Sequence, residues 1–173
     1  MATKFDWAAA TACLTRISRI QVGRFLVLPE ADDVYGMGFF CNASHGNVSL
    51  VANTEQYRQS GLRKSRADRR TTNPKVFRWD TGNWKYPGGL FPSRSAEQTE
   101  FDAAWKEYRE LLSRIDHNMT QERLEEVCVD VLLQLFQEGA FVAGTSLKGF
   151  IVLSPYDFGR CLLDKRIPLS RFP

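Results

Sequence analysis

The sequence predicts an α+β fold, a small and mainly antiparallel sheet with helices packed against it in a single domain. Three observations predict it. An aromatic, glycine-interrupted run from Tyr35 to Cys41 is followed by the turn residues "NASHGN" and by the apolar Val48–Ala52, which is a hairpin signal. Apolar residues recur at steps of three and four in three other segments, the period of helices with one buried face. The resulting order of helix, strand, strand, helix, aromatic loop, helix, helix, strand, helix describes a small sheet backed by helices.

Taken in order, Thr3-Lys4-Phe5-Asp6 has the form of a capping box, in which a hydroxyl and a carboxylate each satisfy a free backbone N–H. Ala10, Leu14, Ile17 and Gln21 follow at helical spacing, with Cys13 and Ile20 beside them, so a helix is expected over 3–21. After Pro29 and the acidic "EADD" comes the hairpin. Thr54 is placed to cap a helix that runs to about Leu62. From about 58 to 78 a basic loop is expected inside the domain, closed by "TTNP".

The stretch "VFRWDTGNWKYPGGLFP" then gathers Phe77, Trp79, Trp84, Tyr86 and Phe91 around a turn at Asp80–Asn83 and a second bend at Pro87-Gly88-Gly89. Ser95-Ala96-Glu97-Gln98 is a second capping box. Phe101, Ala104, Trp105, Tyr108, Leu111, Leu112 and Ile115 continue it as one stripe, the strongest helical pattern in the chain. A further helix is expected from about Thr120, with Leu124, Val127, Cys128, Val131, Leu132, Leu135 and Phe136 inward and Gly139 at its end. The short connection between these two helices predicts that they pack antiparallel. Gly149–Leu153 is apolar at successive positions, as in a strand covered on both faces, and Asp157 can cap a short last helix.

Composition narrows the function. At 173 residues the chain, taken as one domain over 1–173, would bury roughly 70% of its unfolded surface. Hydrophobic and charged shares of 43% and 25% are those of an ordinary globular protein. Cys13, Cys41, Cys128 and Cys161 are far apart and form no metal-type spacing, so they read as small core residues in a reducing compartment. No apolar run reaches the length of a membrane span, and a cytoplasmic protein is expected.

Several matches carry no chemistry. Gly36-Met37-Gly38 lacks the third glycine of a dinucleotide fingerprint and leads into a hairpin, and Asp157-Phe158-Gly159 lacks every other kinase element. His45 in the hairpin turn and His117 in a connection have no local acid or nucleophile beside them. The neighbours Asp32-Asp33 and Glu125-Glu126 do not face each other and read as solvated charge. The expectation is a protein with no catalytic residue, no metal and no cofactor, hence no enzyme.

Charge is the sharper signal. Between Arg58 and Arg78 eight basic residues stand against Asp68 alone, a local +7 in a chain of net +3, which leaves −4 for the remainder. Such a window can be a solvated loop paired to acidic helices. It can hold phosphates while Trp79 or Trp84 stacks on bases, although the acidic remainder and the lack of any nucleic-acid signature speak against that. It can also receive an acidic protein partner. Arg63, Lys64, Arg66, Arg69 and Arg70 are the candidate contact residues.

The ordered set "YGMGFFCN", "SLVANTEQY", "FRWDTGNWKY" and "FIVLSPYD" resembles a bacterial domain-of-unknown-function family, number 4303, from about Tyr35 to Asp157. Asn53, Thr54, Glu55, Arg78, Trp79 and Trp84 fall on its pattern, while the basic "RKSRADRRTTNPK" departs from it. The family is grouped with predicted immunity proteins of polymorphic toxin systems. That resemblance implies a protein that binds and neutralises one cognate toxin. Under it, Trp79 and Trp84 are expected to pack over the sheet or on the helix that begins near Ala96, as a lid on the core.

Overall fold

The computed structural model describes residues 5–42, 45–68, 84–85, 95–111, 117–141 and 149–153, an α+β arrangement as the sequence predicts. Helix α1 (Trp7–Leu26) and a 3-10 turn (Pro29–Asp33) lead into strands β1 (Val34–Asn42) and β2 (Asn47–Thr54) and helix α2 (Glu55–Ala67). After them come α3 (Ala96–Ala104), α4 (Lys106–Leu111), α5 (His117–Gln137) and β3 (Gly149–Leu153).

Strand β1 lies at the centre of a three-stranded sheet of order β2-β1-β3. Its longer ladder is the expected antiparallel hairpin, with Met37 opposite Ala52 and Phe39 opposite Leu50. Strand β3 adds in parallel, with Met37 beside Phe150 and Phe39 beside Val152, so the sheet is mixed. A parallel neighbour cannot be joined by a tight turn, which is why the helices intervene between β1 and β3. In the hairpin turn Gly46 takes φ +63°, and an added Cβ there would come within 2.7 Å of the Arg109 side chain.

Both faces of the β1–β2 hairpin are covered. Met37, Phe39 and Cys41 of β1 with Val48, Leu50 and Ala52 of β2 join the main core, built with α1, α3 and α5. Alternation along β2 sends Val51 and Asn53 to the opposite face. The β1–β2 register slips between Val34 and Gly36, and this bulge places Val34 with the main core while Tyr35 turns away from it. On the second face Tyr35, Val51, Leu62 of α2 and Trp84 are buried outside the main core.

Helix α1 buries the predicted Ala10, Leu14, Ile17 and Gln21 but spans 7–26 instead of 3–21. Asp6 is the N-cap itself, its carboxylate accepting the Ala9 amide at 3.0 Å, rather than the far end of a capping box. Phe5 is thereby left outside the helix, buried against Trp7, Trp105 and Tyr108 at ring separations of 4.9 to 5.6 Å. Helix α1 then runs on past Gln21, burying Val22 and Phe25 in a further turn.

The stripe that begins at Phe101 is broken at Trp105 into α3 and α4. Trp105 accepts the Arg109 amide and donates to Phe101, so the chain path continues through the kink. The indole is fully buried among Phe5, Trp7, Phe101 and Tyr108. Ser95 caps α3 as predicted, accepting the Gln98 amide at 3.0 Å.

Helix α5 begins three residues earlier than expected and takes in His117. Gly139 ends it at φ +71°, with the Gly139 and Ala140 amides donating back to Phe136 and Leu135. Its inward residues are buried as predicted except Phe136, which is 40% exposed at the stripe's edge. Helices α3 and α5 both pack on α1, α5 also on β1, and the two run antiparallel to each other as expected. Thr15 meets Gln134 and Arg19 meets Glu138, so α1 and α5 run parallel. Arg16 and Arg24 pair with Glu100 and Glu97, so α1 and α3 run antiparallel.

Cys41 and Cys128 are buried core residues, as expected, and Cys13 is half-buried. Burial holds the Cys128 thiol well above its ordinary value, and the adjacent Cys41 adds to the effect. The expected last helix at Asp157, the turn at Asp80–Asn83 and Cys161 lie outside the described residues.

Candidate functional site

Helix α2 is the element on which the predicted residues converge, and its two ends differ. At its base, Thr54 accepts the Tyr57 amide at 3.3 Å, the cap that the sequence predicts. Asp33 accepts the next free N–H, that of Gln56, at 2.6 Å. A carboxylate at this place also opposes the positive end of the helix dipole. Asp33 is thus a fixed helix anchor and not the solvated charge that its pairing with Asp32 suggests.

Asn53 ties three chain segments together. Fully buried, it donates to the Tyr35 hydroxyl at 2.9 Å and accepts the amides of Thr54 at 3.0 Å and Lys85 at 3.1 Å. A side-chain amide has this many bonds to offer, and here they hold the Trp84-Lys85 segment against the end of β2. Trp84 is 1% exposed and meets Tyr35 edge-on, with ring centroids 6.2 Å apart. It is the lid that the sequence predicts, placed over the sheet's second face.

Beside the lid, Lys85 Nζ reaches Glu30 at 3.2 Å across an open cleft of about 590 Å³, lined also by Asp33, Thr54, Glu55 and Gln59. Glu55 holds the Arg58 guanidinium, and this hydrogen bond raises the arginine's already high pKa. Every charge named at the base therefore has a partner.

The tip is different. Helix α2 continues to Ala67, so Arg63, Lys64 and Arg66 lie on its last turns and not in the basic loop expected over 58–78. The physical reason is that Arg and Lys are good helix formers, and cations at a helix C-terminus are favoured by the dipole. Leu62 is the helix's buried residue, while Arg63, Lys64 and Arg66 are exposed.

Pairing separates these three from the other described cations. Arg16, Arg19, Arg24, Arg58, Lys85, Lys106, Arg109 and Arg123 each form an ion pair. Among the described residues Arg63, Lys64 and Arg66 form none. Arg69, Arg70, Arg78 and Trp79, the remaining predicted site residues, lie outside the described residues.

A second groove, of about 540 Å³ between α1 and α5, is lined by Arg16, Arg19 and Arg123, all three of them paired. His45 is exposed in the hairpin turn with Nδ1 3.1 Å from the Asn42 side-chain oxygen, as a surface residue would be. The first residue of α5 is His117, not a connection residue. Among the described residues no three His, Cys, Asp or Glu side chains are grouped to hold a metal ion, and no helix is long and apolar enough to cross a membrane.

The residues that sequence reasoning missed are Tyr35, Asp33, Glu30 and Lys85. Lys85 follows Trp84 directly and could have been flagged with it; the others converge only through the bulge and the 3-10 turn.

No curated protein and no solved structure matches the chain significantly. The family model described as a domain of unknown function, DUF4303, matches residues 14–157. That span ends at Asp157, where the sequence resemblance ends, and begins earlier, within α1. It contains the whole hairpin, α2, Trp84 and β3, so the frame that holds the α2 base is the family's own region, and the chain belongs to the DUF4303 family.

Proposed function

We propose that this protein acts by binding, as an immunity-type protein that neutralises a cognate bacterial toxin or effector domain in the cytoplasm, and that the tip of α2 contacts an acidic surface of that toxin. The observation that carries the binding surface is the pairing contrast: eight described cations form ion pairs, and among the described residues Arg63, Lys64 and Arg66 form none. Unpaired charge raises encounter rates and selects partners of opposite sign more than it adds stability. The immunity role itself rests on the family resemblance. Arg69 and Arg70 extend the same basic run and belong to the proposed contact.

Nucleic-acid binding is the competing use of the same arginines, and it is weakened because Trp84 is buried and not free to stack on a base. The deciding experiment is capture from host lysate, with and without nuclease treatment, by the wild-type protein and by a variant with Arg63, Lys64 and Arg66 changed to Glu. One stoichiometric polypeptide, lost with the variant and no longer toxic when co-expressed with the wild type, is the expected result. Recovery of nucleic acid without such a polypeptide, or equal capture by the variant, overturns the reading.

A further inference from the structure

Helix α2 carries, in its first turn, one feature that charge does not explain. Tyr57 is 46% exposed, while Tyr35 and Tyr108 are each 1% exposed and sit in ring contacts. Among the described residues the Tyr57 side chain makes no hydrogen bond or ring contact; only its backbone amide is held, by Thr54. Seven residues separate Tyr57 from Lys64, close to two turns, so both stand on one side of the helix. Ser60 and Ala67 lie on the adjoining solvent-facing strip, and Arg63 borders it from the other side. The helix therefore offers a ring and a low strip of small side chains, bordered by Arg63 and Lys64, which are unpaired among the described residues.

We infer that Tyr57 is the anchor of the α2 surface, and that the occupant is an acidic protein surface with an apolar recess among its carboxylates. The inference rests on the binding reading above and deepens it. Charge complementarity selects an acidic partner, and the ring selects one with apolar area to bury. Tyr and Arg dominate binding hot spots because a tyrosine offers a large, rigid contact at small entropic cost. Cations at the tip govern approach, and Tyr57 governs residence.

Two peptides of equal length and charge test this, one alternating Glu with Ser and one alternating Glu with Leu, titrated at low salt by fluorescence anisotropy. The wild type is expected to bind the Glu-Leu peptide about tenfold more tightly, the difference a buried aromatic anchor makes. Tyr57→Ala should erase that preference and leave the Glu-Ser affinity unchanged, while Tyr57→Phe should keep it. A preference surviving in Tyr57→Ala, or absent from the wild type, overturns the anchor and leaves the charge reading standing. Equal binding of both peptides by the wild type and by the Arg63→Glu, Lys64→Glu, Arg66→Glu variant overturns the charge reading itself. Because Tyr57 is exposed, circular dichroism of Tyr57→Ala should match the wild type, which separates lost preference from lost fold.

Discussion

The base and the tip of α2 are separated by a single helix of 13 residues, about 20 Å long, yet they are built on opposite principles. At the base Asn53, Thr54, Asp33, Glu55 and Lys85 are all engaged, most of them with backbone or with a partner from a distant segment. At the tip Arg63, Lys64 and Arg66 are exposed and unpaired among the described residues. The difference teaches that stability and recognition are divided within one element. Substitutions at the base should therefore act through folding, and substitutions at the tip through binding.

The largest effect is expected at Trp84. Truncation to Ala removes a ring that is 1% exposed and loses its edge-on contact with Tyr35, which should cost about 3 to 5 kcal/mol in urea unfolding. An unchanged midpoint would mean that the ring is not part of the packed second face, and the division between base and tip would collapse.

Asn53→Ala comes next. It removes a hydrogen bond from each of the Tyr35 hydroxyl and the amides of Thr54 and Lys85, and about 2 to 4 kcal/mol is expected. Since Asn53 and Trp84 hold the same segment, the two losses should not add. A double variant whose destabilisation equals the sum of the single ones would show that the segment is not one unit.

How much of this contrast could be read in the sequence differs by end. Thr54 as a cap and Trp84 as a lid were legible because capping and aromatic burial are local rules, satisfied within a few residues. The engagement of Tyr35 was not, because a single-residue register slip turns its ring to the other face, and a slip leaves no mark in an alternating pattern. Asp33 looked like solvent charge for a similar reason: its partner, the Gln56 amide, is 23 residues away. At the tip the sequence showed the charge but not the helix beneath it. A run of like charge marks a change of composition but not where a helix ends, and Arg63, Lys64 and Arg66 are residues whose own propensity is helical.

The same contrast explains the Phe101–Leu111 region, where periodicity named Phe101, Trp105 and Tyr108 as inward correctly and missed the kink. Periodicity reports which side is buried. It does not report that four large rings must be seated around Trp105, and that requirement is set by Phe5 and Trp7 from the other end of the chain.

Thr54→Ala should have a smaller effect, about 1 kcal/mol, the usual worth of an N-cap hydroxyl, with Thr54→Ser restoring most of it. Asp33 still holds the neighbouring amide, so the helix start is not lost. A loss of several kcal/mol would instead make Thr54 part of the buried network around Asn53.

The smallest effect on stability is expected at the tip, and its dependence on salt makes it the sharpest test of the comparison. Replacing Arg63, Lys64 and Arg66 with Gln keeps a polar side chain of similar helical propensity while removing the charge. What is lost is the interaction of exposed cations with the C-terminal end of the helix dipole, about 0.3 to 1 kcal/mol at low ionic strength. Near 1 M salt the screening length falls to about 3 Å, so the urea midpoints of the variant and the wild type should converge. Losses at Trp84 and Asn53 come from packing and buried hydrogen bonds and should persist at that salt concentration. A tip variant that stays destabilised at high salt would place Arg63, Lys64 or Arg66 in structural contacts, and the helix would then have two bases and no free end.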